Sequence, residues 1–155
     1  MSLRFTKMHG IGNDFVVLDR RDADAPLSPE LARQLADRHF GVGCDQVMTI
    51  ERSDAAGCAF RYGIYNADGS TAGQCGNGVR CVVRWLADRQ LFSGTEVRLL
   101  GPSGPVHAHV LDDGRVCIDM GEPQFAVALV PLATTQISDR YPLQLPGRVI
   151  EVGAV

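Results

Sequence analysis

The stretch YNADGSTAGQCGNGVRCVVRWLAD, from Tyr65 to Asp88, decides how the remainder of the chain must be arranged. It reads as a strand end, a polar loop, a cysteine, a Gly-Asn-Gly turn and a helix beginning at Gly78 or Val79. Val79, Val82, Val83, Trp85, Leu86 and Ala87 cover most of the helical surface, and Arg80, Arg84 and Asp88 form one narrow polar stripe. A helix this apolar is buried on most sides, and sheet must supply the wrapping. Its first turn presents unpaired backbone N–H groups and the positive end of the helix dipole. Cys75 stands just ahead of that end, where flanking glycines leave the backbone uncovered. A thiol there lies beside a natural anion site.

Upstream, Arg4 to Met8 and Phe15 to Leu18 read as strands joined by HGIGNDF, His9 to Phe15. Gly10 and Gly12 permit a tight connection. The loop reads first as a hairpin turn, but its density of hydrogen-bonding groups makes Asn13 a candidate contact. Ser28-Pro29-Glu30 starts a helix, with the hydroxyl as N-cap and proline at the first helical position. That helix is expected to run through His39, with Gly41 stopping it. GVGCDQ, Gly41 to Gln46, leads into a strand from Gln46 to Ile50, and Cys44 reads as packing. From Cys58 to Tyr65 the residues alternate, which predicts a strand feeding the central loop.

Downstream, Glu96 to Leu100, Val106 to Leu111 and Arg115 to Asp119 are three more strands. Asp112-Asp113-Gly114 is a hairpin turn between the last two, and GPSGP (Gly101 to Pro105) is another turn. His107 and His109 alternate with Val106, Ala108 and Val110, which puts both histidines on the solvated side. Residues 1–123 form the domain proper. Residues 124–155, apolar but interrupted by Pro131, Pro142 and Pro146, are expected to give an edge strand and the start of a linker to a missing second domain. The run Val149 to Val155 looks like a strand cut short, as in one half of a longer protein.

Composition narrows the chemistry. A 155-residue chain with 45% apolar residues suits one folded domain. A net charge of −3 with a pI near 5.7 argues against nucleic-acid or anionic-membrane partners. Lys7 is the only lysine, so an amine nucleophile or Schiff base would have to use it. No eighteen-residue apolar run or apolar signal core appears, which predicts a cytoplasmic protein. Five cysteines without a CxxC argue against a disulfide framework and against zinc. Cys58, Cys81 and Cys117 read as small buried hydrophobes. No GxGxxG follows a strand and no GxxxxGK[ST] occurs, so nucleotide binding has no positive signal.

Three loops carry Asn13, Gln46 and Asn66, and a fourth carries Cys75, Gly76 and Asn77. Amide side chains offer a donor and an acceptor together, which suits ammonium and carboxylate groups. An acyl-transfer hydrolase would want a histidine beside the thiol, and His9, His39, His107 and His109 have no sequence tie to Cys75. General-base use of a thiolate on a small zwitterion remains open, as does binding without chemistry.

HGIGNDF, GVGCDQ, YNADGS, QCGNGVRC and DMGEP, in that order, resemble the N-terminal half of the diaminopimelate epimerase family. The resemblance is strong from residue 3 to about 123 and weak beyond. It implies an α/β domain, a mixed β-sheet wrapped around a central helix, as the first of two similar domains with substrate in the cleft between them. It implies no pyridoxal phosphate, no metal and no other cofactor, and a homodimer. The implied reaction interconverts LL- and meso-diaminopimelate on the way to lysine and peptidoglycan, using two cysteines on opposite faces of the α-carbon. Carried over by position, Cys75 is the first catalytic cysteine, and Asn13, Gln46 and Asn66 are substrate contacts. Gly76 and Asn77 hold the reacting carboxylate. The second half of the family pattern and its partner cysteine are absent, so this chain alone is expected to be inactive. Cys44 stands where many relatives carry phenylalanine, and GPSGP replaces a threonine-containing turn, a difference of loop detail. A proline racemase or phenazine-biosynthesis isomerase of the same superfold is the near rival. A non-catalytic binding or assembly module is the rival of a different class.

Overall fold

A computed structural model describes residues 3–130 and 132–154. Seven strands make one sheet in chain order: β1 (Thr6–Gly10), β2 (Asn13–Asp19), β3 (Gln46–Arg52), β4 (Phe60–Asn66), β5 (Glu96–Gly101), β6 (Gly104–Val110) and β7 (Val116–Asp119). Neighbours are antiparallel except β2–β3 and β4–β5. Parallel neighbours need a crossover, and each of these two pairs has a helix: α1 (Pro29–Ala36) for the first and α2 (Gly76–Asp88) for the second.

The two-residue period of the strands assigns side chains to two layers. Phe15, Val17, Met48, Ile50, Tyr62, Ile64, Val97 and Leu99 face α2 and pack on Val79, Val82, Val83, Trp85 and Leu86. Helix α2 touches both edge strands, β1 and β7, so the sheet curls around it as its sequence requires. Fully burying one such leucine or methionine is worth roughly 1.5–3 kcal/mol, so this layer dominates the stability. The alternate residues Val16, Leu18, Val47 and Tyr65 point outward and are covered by Leu27, Ala32, Ala36 and Cys44 around α1. Thr49 is fully buried among them, with its hydroxyl donating to Glu51 and accepting the Gly63 N–H.

Local chemistry moves three features from their expected places. Helix α2 starts at Gly76, ahead of Gly78, because Cys75 itself caps it. Helix α1 starts as read, with the Ser28 hydroxyl accepting the Leu31 N–H at 3.2 Å, but ends at Ala36 and not at His39. There the Asp37 carboxylate takes the N–H groups of His39 and Phe40, which competes with further helix. Cys117, expected to be buried, is exposed, because β7 is an edge strand covered on the Val116 and Ile118 side only.

By internal contacts the chain divides into Met1–Met120 and Gly121–Val155. In the second unit β8 (Tyr141–Leu145) and β9 (Arg148–Val152) pair with each other as an antiparallel hairpin. Pro131 and Val155, which figure in the sequence reading of the tail, lie outside the described residues. Among the described residues no helix is long and apolar enough to cross a membrane.

Candidate active site

Strand register collects the predicted polar residues at one end of the sheet. Phe15 is opposite Gln46, and Gln46 is opposite Asn66. The starts of parallel β2 and β3 therefore meet the finish of antiparallel β4, which places Asn13, Gln46 and Asn66 together. Helix α2 begins at the same end, since Asn77 reaches Asn13.

The loop before Cys75 is built into the sheet. Strands β4 and β5 pair only through Phe60–Leu99 and Arg61–Leu100. Past that point the loop itself lies along β4. The Asn66 N–H donates to Ser70 O at 2.8 Å, Tyr65 stands opposite Thr71, and the Ala72 N–H donates to Ile64 O at 3.0 Å. The Ser103 hydroxyl, in the GPSGP turn, then donates to Gly73 O at 2.8 Å. That turn does more than vary loop detail: it fixes the backbone two residues ahead of the cysteine.

Cys75 is half-buried and extended at the N-cap (φ −151°, ψ 97°), and its Sγ accepts the Gly78 N–H at 3.4 Å. The thiol points at Asn13 Oδ1, 3.9 Å away, and Asn77 Nδ2 donates to the same oxygen at 3.4 Å. The N–H groups of Gly76 and Asn77 have no acceptor among the described residues, as expected for a first turn. Gly78 permits the close packing of the first turn: a Cβ there would lie 2.7 Å from Met48 Sδ.

Gln46 and Asn66 form a second group. Gln46 Nε2 donates to Asn66 Oδ1 at 2.9 Å, and Asn66 Nδ2 donates to Ser70 Oγ at 3.0 Å. No hydrogen bond joins this pair to Asn13, Cys75 and Asn77 among the described residues. Of the other thiols, burial raises that of Cys44, and burial pushes that of Cys81 up to about 11.

Sequence reading missed the charged cluster behind Asn13. Asp14 takes Arg38 at 2.8 Å and Lys7 at 2.8 Å, and its Oδ1 also accepts the Asp45 N–H at 2.9 Å. Arg38, then Lys7, hold the Asp14 carboxyl well below the usual carboxylate range against the opposing effect of burial. Asp45 takes Arg38 at 2.8 Å, and hydrogen bonds from Asn13 and from the Asp14 N–H lower its carboxyl too. Asp14 follows Asn13 and Asp45 precedes Gln46, so adjacency to two predicted contacts was the available signal. Lys7 also donates to Gly43 O, and Arg80 donates to Asn77 Oδ1.

A carboxylate seated at the Gly76 and Asn77 N–H groups would lie beside a thiol, with an amide oxygen across from it. That combination suits a zwitterion.

A profile of the family described as diaminopimelate epimerase matches residues 5–126. The diaminopimelate epimerase of Teredinibacter turnerae is 47% identical over 155 residues, covering 100% of this chain and 56% of the relative. That of Xanthomonas euvesicatoria pv. vesicatoria is 50% identical over 154 residues, covering 99% and 54%. The chain spans about half the length of the curated relatives it matches. Among solved structures, a methylitaconate-delta-isomerase superposes with a TM-score of 0.61 at 17% identity, covering 100% of this chain and 85% of the other. A hydroxyproline epimerase from Agrobacterium vitis, with trans-4-hydroxy-L-proline bound, gives 0.58 at 15% identity, covering 75% and 40%. At these identities the likeness carries the fold.

Proposed function

The chain belongs to the diaminopimelate epimerase family, and from that membership we propose that it is the first-cysteine half of a cofactor-independent epimerase interconverting LL- and meso-diaminopimelate. The observation that carries this reading is the half-buried Cys75 Sγ, set at the start of α2 beside two N–H groups that have no acceptor among the described residues, and facing Asn13.

The chemistry runs as a proton exchange at carbon. Substrate carboxylate sits on the Gly76 and Asn77 N–H groups, where the helix dipole favours its charge. The Cys75 thiolate takes the α-proton, so the Cα–H bond breaks and an S–H bond forms. The electron pair left on carbon spreads into the carboxylate, whose growing charge those N–H groups stabilise in place. A thiol on the opposite face, from a second domain resembling this one, returns a proton to carbon and inverts the centre. Gln46 and Asn66 hold the remote end of the substrate, and the parent protein is a cytoplasmic homodimer.

The test is to supply LL- and meso-diaminopimelate separately to a protein extended to the length of its curated relatives, and to follow both stereoisomers by chiral chromatography. Interconversion from either side is expected, with proline and 4-hydroxyproline untouched. Turnover of a proline substrate with diaminopimelate unchanged would overturn the substrate assignment.

A further inference from the structure

Among the described residues, Asp45 and not Asp14 reaches a side-chain amide, that of Asn13. The Asp14 carboxylate is occupied by Arg38, Lys7 and the Asp45 N–H. Asp45 instead gives Oδ1 to Arg38 at 2.8 Å and turns Oδ2 to Asn13 Nδ2 at 2.9 Å and to the Asp14 N–H at 3.0 Å. An ionised carboxylate only accepts hydrogen bonds, so the end of Asn13 that faces it must be the amide nitrogen. Carbonyl Oδ1 is left on the other side, 3.9 Å from Cys75 Sγ and 3.4 Å from Asn77 Nδ2.

A second constraint agrees. Arg80 donates to Asn77 Oδ1, which leaves Nδ2 as the end of Asn77 turned to Asn13. A flipped Asn13 would set nitrogen against nitrogen at Asn77 and oxygen against carboxylate at Asp45. The Asp45 side chain is 46% exposed, so its part is not that of a core filler.

We propose that Asp45 is a positioning residue that locks the Asn13 amide with its carbonyl oxygen toward Cys75, giving this side of the site an acceptor suited to an ammonium group. The locked orientation stands on the contacts alone, while the ligand class rests on the epimerase reading. An acceptor here and donors at the start of α2 together match the two charged groups of an α-amino acid.

The test has two arms. In the first, side-chain 15N–1H spectra of this chain report the Asn13 amide protons in the parent and in Asp45→Ala. Asp45→Asn serves as a shape-preserving second variant, whose single oxygen cannot satisfy Arg38 and both N–H donors. Hydrogen exchange of the Asn13 side chain should accelerate by about tenfold or more in Asp45→Ala, and less in Asp45→Asn, while core backbone amides keep their shifts. Unchanged Asn13 protons in both variants would overturn the proposal.

In the second arm, the extended protein carries Asp45→Ala, and separately the exchanged pair Asn13→Asp with Asp45→Asn, which restores an acceptor at 13 and a donor at 45. KM for diaminopimelate should rise by about tenfold in Asp45→Ala with a smaller change in kcat, and the exchanged pair should recover part of that loss. A merely structural role would not be rescued by the exchange. An unchanged KM in an active protein would overturn the ammonium assignment. If the spectra change as stated but even the parent shows no turnover, the epimerase reading fails and the orientation by Asp45 stands.

Discussion

Replacing Gly101 with alanine should cost about 2 kcal/mol and loosen the loop that carries Cys75. Gly101 ends β5, and a Cβ there would stand 2.2 Å from Tyr62 Oη, 2.5 Å from Cζ and 2.9 Å from Cε1. Tyr62 is only 2% exposed, and a buried ring gives way less readily than the end of a flexible chain. Overpacking of this kind costs typically about 1–3 kcal/mol, and contacts this short belong at the upper end. Alanine returns about 0.4–1 kcal/mol by restricting the unfolded chain. At roughly 2–4 °C per kcal/mol for a chain of this size, Tm should fall by about 4–8 °C. If the backbone moves instead of the ring, Ser103 moves with it and releases Gly73 O. Hydrogen exchange at residues 70–74 should then rise more than in β2 or β3. The decisive assay is a double-mutant cycle by denaturant unfolding, with Tyr62→Leu removing the ring. In that background Gly101→Ala should be neutral to stabilising by up to about 1 kcal/mol, a coupling of about 2–3 kcal/mol. An equal loss in both backgrounds would refute the steric argument.

Arg38→Ala should lower stability at neutral pH and lose that effect in acid. Asp14 is held below its unfolded value, so its contribution is complete above the ordinary carboxylate range and disappears as pH falls through the depressed folded value. Urea unfolding from pH 7 downward should show the gap between parent and variant closing below about pH 4, and a gap that persists in strong acid would contradict the assignment. Iodoacetamide near neutral pH should modify Cys75 and the exposed Cys117 well before Cys44 and Cys81, whose burial raises their thiols. Peptide mapping that finds Cys81 modified as fast as Cys75 would place the site wrongly.

The periodicity of Val79 to Leu86 announced a helix with too little polar surface to stand outside a sheet, and the sheet does enclose it. Strand order and the two parallel pairings were not legible, because register comes from contacts between distant segments, not from local alternation. The same limit hid Asp45, which is 32 positions from Asn13, and Ser103, which is 30 from Gly73. Neither contact leaves a mark on local pattern. Asn13, Gln46, Asn66 and Cys75 stood out because each interrupts or ends a regular run with a polar group next to glycine or a strand end. Cys117 was assigned to the wrong side because an apolar neighbourhood does not show which face of an edge strand is covered.

Proton removal by Cys75 is tested most directly by deuterium wash-in. A protein extended to the length of its relatives would be incubated with meso-diaminopimelate in heavy water, beside its Cys75→Ala form, and the α-carbon followed by mass spectrometry. The parent should incorporate deuterium, and the variant should do so slower by about 10³-fold or more, the loss expected when a positioned base is removed. Incorporation at the parent's rate in a folded Cys75→Ala protein would contradict a role for this sulfur.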